Sequence, residues 1–249
     1  MQPTSTASNP LFDRDFLLST MMGPNCVRFA EELTANIPLS PHMRVLDLGC
    51  GMGLSSIYLA RTFGVRVFAA DLWINPSDSF ARFRDFGLED AVIPLRAEGH
   101  ALPFAEGYFD AVICIDAYHF FGCAPEYLDA HIAPLVKPGG FIAAAIPGLR
   151  QEFTGDIPDE LRPYWKEDIN FHSAGWWAEL WKQSTRAAVR DAFSLRSHKA
   201  AWEDWLQCDN PYAQRDAGMM EKAGWRYFDS IGIIATVSPA ACSEPYLLL

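Results

Sequence analysis

The run Val-Leu-Asp-Leu-Gly-Cys-Gly-Met-Gly at residues 45–53 holds the residue types and spacings most suited to chemistry. Strand-forming residues enclose one acid, Asp47, and give way to glycines at alternate positions, Gly49, Gly51 and Gly53, with Cys50 between the first two. Glycine permits backbone angles closed to other residues and lets a ligand approach the main chain closely. Three glycines with an acid exceed what a connecting turn needs, so the run reads as a cradle for a small molecule. A second acid, Asp71, ends the run 65–71, 22 positions after Gly49. In a right-handed strand-helix-strand unit this acid faces whatever the first loop holds, where it can accept hydrogen bonds from ribose hydroxyls. A third group is the polar turn Glu98-Gly99-His100, just before Leu102-Pro103-Phe104. A fourth is the dense set Asp116, Tyr118, His119, Phe120 and Phe121. An imidazole or carboxylate there is of a type that can move a proton, and His119 beside Tyr118 is the first candidate.

These groups need elements to carry them. Apolar runs at 45–48, 65–71, 91–96, 109–115 and 141–146 predict five strands, and helical spacing at 55–63, 77–86 and 124–136 predicts helices between them. Such alternation implies a doubly wound, mostly parallel sheet. Helical stretches at 11–22 and 26–36 precede it, and 137–140, Lys-Pro-Gly-Gly, reads as a turn. Beyond Pro147 the pattern changes: 149–173 is irregular, 175–184 suits a helix, and 188–195 and 227–237 suit a sixth strand and an antiparallel seventh. The segment 196–226 between those two strands should lie over the ligand face. The expected organisation is a leader at 1–10 and one domain at 11–249. That domain comprises a helical cap (11–42), a core (43–147) and a C-terminal half (148–249) whose insertions, 149–173 and 196–226, face the substrate.

Composition narrows the partners. The chain has 249 residues, half of them hydrophobic, and 31 acids against 20 bases give a net charge of -11. Nucleic-acid binding depends on Lys and Arg displacing counterions, so this balance argues against it. The most apolar run, 141–146, is far shorter than the roughly 20 residues that span a bilayer, so no membrane partner is expected. The start of the chain lacks the features of a secretory signal, and the six cysteines show neither a CxxC pattern nor pairing with histidine. Free thiols in the cytoplasm and no metal site are the expectation. Oligomeric state is not legible.

Four elements, in order and spacing, resemble the class I S-adenosylmethionine-dependent methyltransferases, specifically the small-molecule branch with the type 11 methyltransferase domain. They are the Asp-x-Gly-x-Gly-x-Gly loop at 47–53, Asp71, the acid before Leu102-Pro103-Phe104, and Leu-Val-Lys-Pro-Gly-Gly at 135–140. The resemblance covers 43–147 strongly. It implies a Rossmann-like methyltransferase fold and methyl transfer from S-adenosylmethionine to an O, N, S or C nucleophile of a small molecule, leaving S-adenosylhomocysteine. Residue by residue, it implies that Gly49, Cys50, Gly51 and Gly53 hold the methionine portion, with Asp47 near its ammonium group. Asp71 takes the ribose hydroxyls. Glu98 replaces the more usual aspartate at the adenine amino group, with the Gly99 amide and His100 in the same turn. Leu72 and Trp73 sandwich the ring, and Asp116 with Ala117 underlies the sulfonium end.

Other readings remain open at this level. A glycine loop with an acid about 20 residues on also describes a nicotinamide-dependent oxidoreductase, although that pattern wants glycine or alanine where Leu54 stands. The chain can also be read as a protein that binds S-adenosylmethionine without methylating. An arsenite methyltransferase using Cys26, Cys123 and Cys208 is a further possibility. Trp176, Trp177, Trp181, Trp202, Trp205 and Tyr212 either line a cage for a flat or cationic acceptor or pack the interior. No motif names the acceptor.

Overall fold

The computed structural model describes residues 11–166 and 169–239. The expected leader at 1–10 lies outside the described residues, as does Cys242. Seven strands form one sheet: β1 (Arg44–Leu48), β2 (Arg66–Asp71), β3 (Val92–Arg96), β4 (Phe109–Ile115), β5 (Val136–Leu149), β6 (Ala187–Ser194) and β7 (Phe228–Val237). Their order is β3-β2-β1-β4-β5-β7-β6. The first five run parallel, and β7 inserts antiparallel between β5 and β6. The expected Rossmann-like architecture, mostly parallel with an antiparallel last strand, is what the chain adopts. Strand order reverses at β1 and β4, and in open sheets of this kind ligands bind at such a switch point, beyond the carboxyl ends of the strands.

The helices begin where the sequence supplies side-chain caps. Asp13 accepts from the Phe16 amide to start α1 (Arg14–Thr20), and Asn25 accepts from the Val27 amide to start α2 (Cys26–Thr34). The crossover helix α3 (Leu54–Phe63) begins at Gly53 and stops at Gly64, both in the left-handed region. Asn75 followed by Pro76 opens α4 (Pro76–Asp85), and Ser173 caps α5 (Ala174–Trp181). Two more helices, α6 (His198–Trp205) and α7 (Pro211–Met219), form the segment between β6 and β7.

Two expectations need correction. Residues 124–136 do not form a regular α-helix: a π-helical turn (Leu128–Ile132) passes into a 3₁₀ turn (Ala133–Leu135). Pro134 lacks an amide hydrogen and cannot continue an α-helical ladder. Nor is 137–140 a free turn, because it forms a bulged entry to β5. Pairing steps from Phe109 opposite Val136 to Ala111 opposite Phe141, leaving extra residues on β5, and Gly139 takes φ 80° to accommodate them.

Both faces of the sheet are covered. On one, Leu33, Ile57, Phe83, Trp205 and Met220 pack against Val45, Val67 and Ile113. On the other, Tyr118, Tyr127, Trp177 and Trp181 pack against Leu46, Val112 and Ile233. Most of the tryptophans are therefore interior packing: Trp177, Trp181 and Trp205 are fully buried, and Trp176 stacks on His172. Tyr212 is largely exposed.

Candidate active site

A cavity of about 450 Å³ opens where β1, β2 and β4 end, with Gly49, Asp71 and Asp116 on its wall. The glycine loop shapes one side. The Gly49 and Cys50 amides both donate to the Ala70 carbonyl, at 2.8 and 3.1 Å, which ties the loop to β2. Gly49 sits at φ 74°, and a Cβ there would lie 2.3 Å from Cβ of Ala117, so a side chain has neither the angle nor the room.

Asp71 ends β2 and organises two loops at once. Its Oδ2 accepts from the Gly51 amide at 2.9 Å, and its Oδ1 accepts from the amides of Trp73 and Ile74 at 2.8 and 3.0 Å. A carboxylate has about four acceptor positions, so capacity remains on the edge facing the cavity. Leu72 and Trp73 follow it and are exposed at the mouth, where the Trp73 ring meets Phe120 edge-on at 5.9 Å. Glu98, Gly99 and His100 line the same cavity. The His100 ring and amide bind the Glu98 carboxylate at 2.7 and 3.1 Å, and the ring contact holds Glu98 below the usual carboxylate range. Tyr127 donates to the Gly99 carbonyl at 2.8 Å and fixes this turn from the other face of the sheet.

Asp47 and Gly53 lie one layer deeper and do not line the cavity. Asp47 is fully buried and accepts from the Ser55 and Ser56 hydroxyls, each at 2.6 Å, while its other oxygen has no partner. Burial pushes its carboxyl up to about 6 against the lowering effect of the two serines, and the nearby charge of Asp71 adds to the rise. It braces the start of α3 under the glycine loop. At Gly53 a Cβ would strike the Phe83 ring at 2.5 Å, so this glycine serves the packing of α3 against α4.

At the far end, the two candidate proton acceptors separate. The turn Tyr118–Phe120 is a 3₁₀ turn, with about three residues per turn, so adjacent side chains point to different faces. His119 lines the cavity, nine-tenths buried, with no partner for Nδ1, and burial pushes it down to about 4. Tyr118 points the other way into the Trp177 and Trp181 packing and does not reach the cavity. Its catalytic assignment is thereby corrected.

Asp116 has a positive φ of 57°, an angle aspartate tolerates better than most side chains, and it lines the cavity beneath the turn between α1 and α2. A Cβ on Gly23 in that turn would fall 2.1 Å from Asp116 Oδ2. Burial, and then the charge of Asp216 on α7, push Asp116 up to about 7. Asp216 lines the same cavity, as do Cys26, Phe171 and Trp202. Of the two insertions expected over the ligand, 149–173 supplies Phe171 and 196–226 supplies Trp202 and Asp216. Asp216 had no local signal in the sequence, since it stands in an amphipathic helix 100 positions from Asp116 and only packing brings the two together.

Among the described residues, no three His, Cys, Asp or Glu side chains gather as a metal site would require. Burial also pushes the Cys26 thiol to about 12 and Cys208 to about 11, which opposes thiolate chemistry at either.

Parts of this chain are similar to known proteins. A methyltransferase domain model matches residues 46–144, the span holding the glycine loop, Asp71, Glu98 and Asp116. That match covers less than half of the chain. Methyltransferase GfsG of Streptomyces halstedii is 32% identical over 119 residues, which are 47% of this chain and 42% of that protein. The glycine/sarcosine/dimethylglycine N-methyltransferase of Actinopolyspora halophila is 27% identical over 139 residues, 54% of this chain and 24% of the relative. This chain thus matches less than half the length of either relative. In fold, it is similar to geranyl diphosphate C-methyltransferase of Streptomyces coelicolor A3(2), with a TM-score of 0.68 and 19% identity over 84% of this chain and 77% of that one. The [4+2]-cyclase SpnF is as similar, with a TM-score of 0.68 and 18% identity over 87% and 83% of the two chains. No helix among the described residues is long and apolar enough to cross a membrane.

Proposed function

We propose that this chain binds S-adenosylmethionine over the glycine loop and transfers its methyl group to a small-molecule acceptor at the Asp116 end of the cavity. One observation carries the reading: the Gly49–Gly51 loop, Asp71, Glu98 and Asp116 meet on a single cavity. The fit is chemical as well as spatial. The Gly49 and Gly51 main chain lines the cavity at positive φ, with Ala117 and Met22 packed where side chains would stand, and Asp71 keeps acceptor capacity for ribose hydroxyls after binding three amides. Leu72 and Trp73 offer an apolar and an aromatic surface to the adenine, and Glu98, oriented by His100, accepts from its amino group.

The cofactor supplies a methyl group already made electrophilic by its sulfonium sulfur. The protein's own work is then to align the acceptor and exclude water. The exposed rings of Trp73 and Phe120 at the mouth close over a bound ligand. His119 stays neutral at physiological pH because burial lowers it, so its imidazole is available to accept a proton. Asp47 acts indirectly, by holding the start of α3 and so the loop above it. A cytoplasmic setting belongs to the same reading, since the five described cysteines are free.

The oxidoreductase reading loses support from topology. A dinucleotide fold has the strand order 3-2-1-4-5-6, whereas here an antiparallel β7 separates β5 from β6. The SpnF likeness keeps a non-methylating use of the same fold in view. Titration calorimetry with S-adenosylhomocysteine and with NAD(H), followed by mass spectrometry of acceptors incubated with S-adenosylmethionine, tests the proposal. Binding of S-adenosylhomocysteine near one equivalent and a product heavier by one methylene support it. Binding of NAD(H) alone overturns it.

A further inference from the structure

The acceptor end of the cavity carries negative charge that the cofactor reading does not use. If the glycine-loop end holds the cofactor, as proposed above, the remaining wall is formed chiefly by Asp116, His119, Phe171, Trp202 and Asp216. No lysine or arginine stands among the described residues lining the cavity, whereas Asp71, Glu98, Asp116 and Asp216 all do. The first two belong to the cofactor end. The second two come from the tip of β4 and from α7, and both line the cavity; burial first, and then the charge of Asp216, raise Asp116. No described residue donates a hydrogen bond to the Asp116 side chain. Asp216 accepts from Trp205 Nε1 at 3.1 Å and, at 3.4 Å, from Arg215.

The polar atoms around the pair are unsatisfied too. His119 and Trp202 are each more than nine-tenths buried on the cavity wall, and neither His119 Nδ1 nor Trp202 Nε1 has a partner. Buried polar atoms without partners are costly and uncommon unless a ligand or water completes them. Two carboxylates sharing a partly desolvated site repel, and a cation between them removes that penalty. An acceptor bearing phosphate or carboxylate would bring a third negative charge into a low-dielectric space that holds no guanidinium or ammonium to receive it. Aromatic walls favour a cation as well.

We propose that the acceptor is a cationic amine, seated with its ammonium group between Asp116 and Asp216 and its skeleton against Phe171 and Trp202. Before its nitrogen can act as nucleophile, one proton leaves it: the N–H bond breaks, a new N–H bond forms on the neutral His119 imidazole, and the electron pair stays on the amine nitrogen. Asp116 and Asp216 act as counter-charges to the ammonium in that step: Asp216 keeps acceptor positions free after accepting from Trp205 and Arg215. The Cys26 thiol is held protonated by burial, with its value pushed to about 12.

The test uses the protein saturated with S-adenosylhomocysteine and titrated with three matched pairs: ethanolamine and glycolate, benzylamine and benzoate, tryptamine and indole-3-acetate. In at least one pair the amine is expected to bind about tenfold or more tightly than its carboxylate, because like-charge contact penalises the anion. Asp116→Asn and Asp216→Asn should each erase most of that preference. Asparagine keeps the tolerance for positive φ at 116 and an acceptor for Trp205 at 216, so both variants should fold, and circular dichroism with thermal unfolding checks that they have. Carboxylates binding as well as amines, no amine binding at all, or a preference that survives in both variants would each overturn the proposal. Failure of S-adenosylhomocysteine itself to bind would instead remove the cofactor reading on which this one rests.

Discussion

The carboxylate of Asp71 and the amide of Gly51, twenty residues apart, meet at 2.9 Å and join the tip of β2 to the glycine loop that follows β1. The same carboxylate holds the Trp73 and Ile74 amides, so it sets the shape of both ligand-facing loops before any ligand arrives. Replacing Asp71 with alanine therefore removes a ligand contact and also frees three amides. S-adenosylhomocysteine affinity should fall by about 1–3 kcal/mol, the cost of one or two lost hydrogen bonds to a charged group. Faster amide exchange at Gly51, measured without ligand, separates this dual role from a contact made only to the ribose.

Two glycines with positive φ should respond very differently to alanine. At Gly49 the new Cβ would meet Ala117 at 2.3 Å, whereas at Gly107, φ 60°, nothing lies within 4 Å. Gly107→Ala carries only the backbone strain, about 1 kcal/mol. Gly49→Ala adds a clash of the kind that costs about 1–3 kcal/mol more and shifts the loop. Denaturant unfolding checks the ranking, and only Gly49→Ala should weaken cofactor binding.

Asp47 makes stability depend on pH in a stated direction. Its folded value of about 6 lies above its ordinary 3.8, so between these limits the native state holds a proton that the unfolded chain has released. Stability from this group is highest near pH 4, declines as pH rises to about 6, and is level beyond. His119 and His198, both pushed down to about 4 by burial, act oppositely in the window up to their ordinary 6.5. Comparison with Asp47→Asn isolates the carboxyl: the variant should gain on the wild type by up to about 3 kcal/mol between pH 4 and 7, measured by urea unfolding. A constant difference across that range would show that Asp47 is not buried as described.

Tyr118 and His119 are neighbours in sequence with different expected roles. The Tyr118 hydroxyl is buried and makes no hydrogen bond, so Tyr118→Phe should leave stability and turnover close to the wild type. His119→Gln keeps a polar group on the cavity wall but removes the basic nitrogen. Its turnover should fall about 10²-fold or more if the imidazole takes the proton, with cofactor affinity little changed. A fall confined to cofactor affinity would assign His119 to binding.

The strands were legible because parallel strands buried on both faces read as continuous apolar runs, and β4 matches its expected bounds, 109–115. Helix starts were legible at Asn25 and Ser173, whereas Asn210, which caps α7, lay in a segment read only as an insertion. The stretch 124–136 was misread because its helical spacing outweighed Pro134, and 137–140 because Gly139 and Gly140 signal a turn but not the sheet register that absorbs it. The grouping of Gly49, Gly51, Asp71 and Glu98 on one cavity was legible because each sits at a strand tip or loop whose spacing is local.

By itself, then, the sequence determined the sheet, the glycine loop and the acids that follow each parallel strand, since strand periodicity and the crossover rule act over a few tens of residues. Only the tertiary structure decided which side chains share the cavity. A 3₁₀ turn sends His119 inward and Tyr118 away, burial draws Asp47 beneath the loop, and the placement of α7 brings Asp216 to the cavity that Asp116 lines. Those outcomes depend on contacts between residues as much as 100 positions apart, where neither spacing nor composition carries a signal.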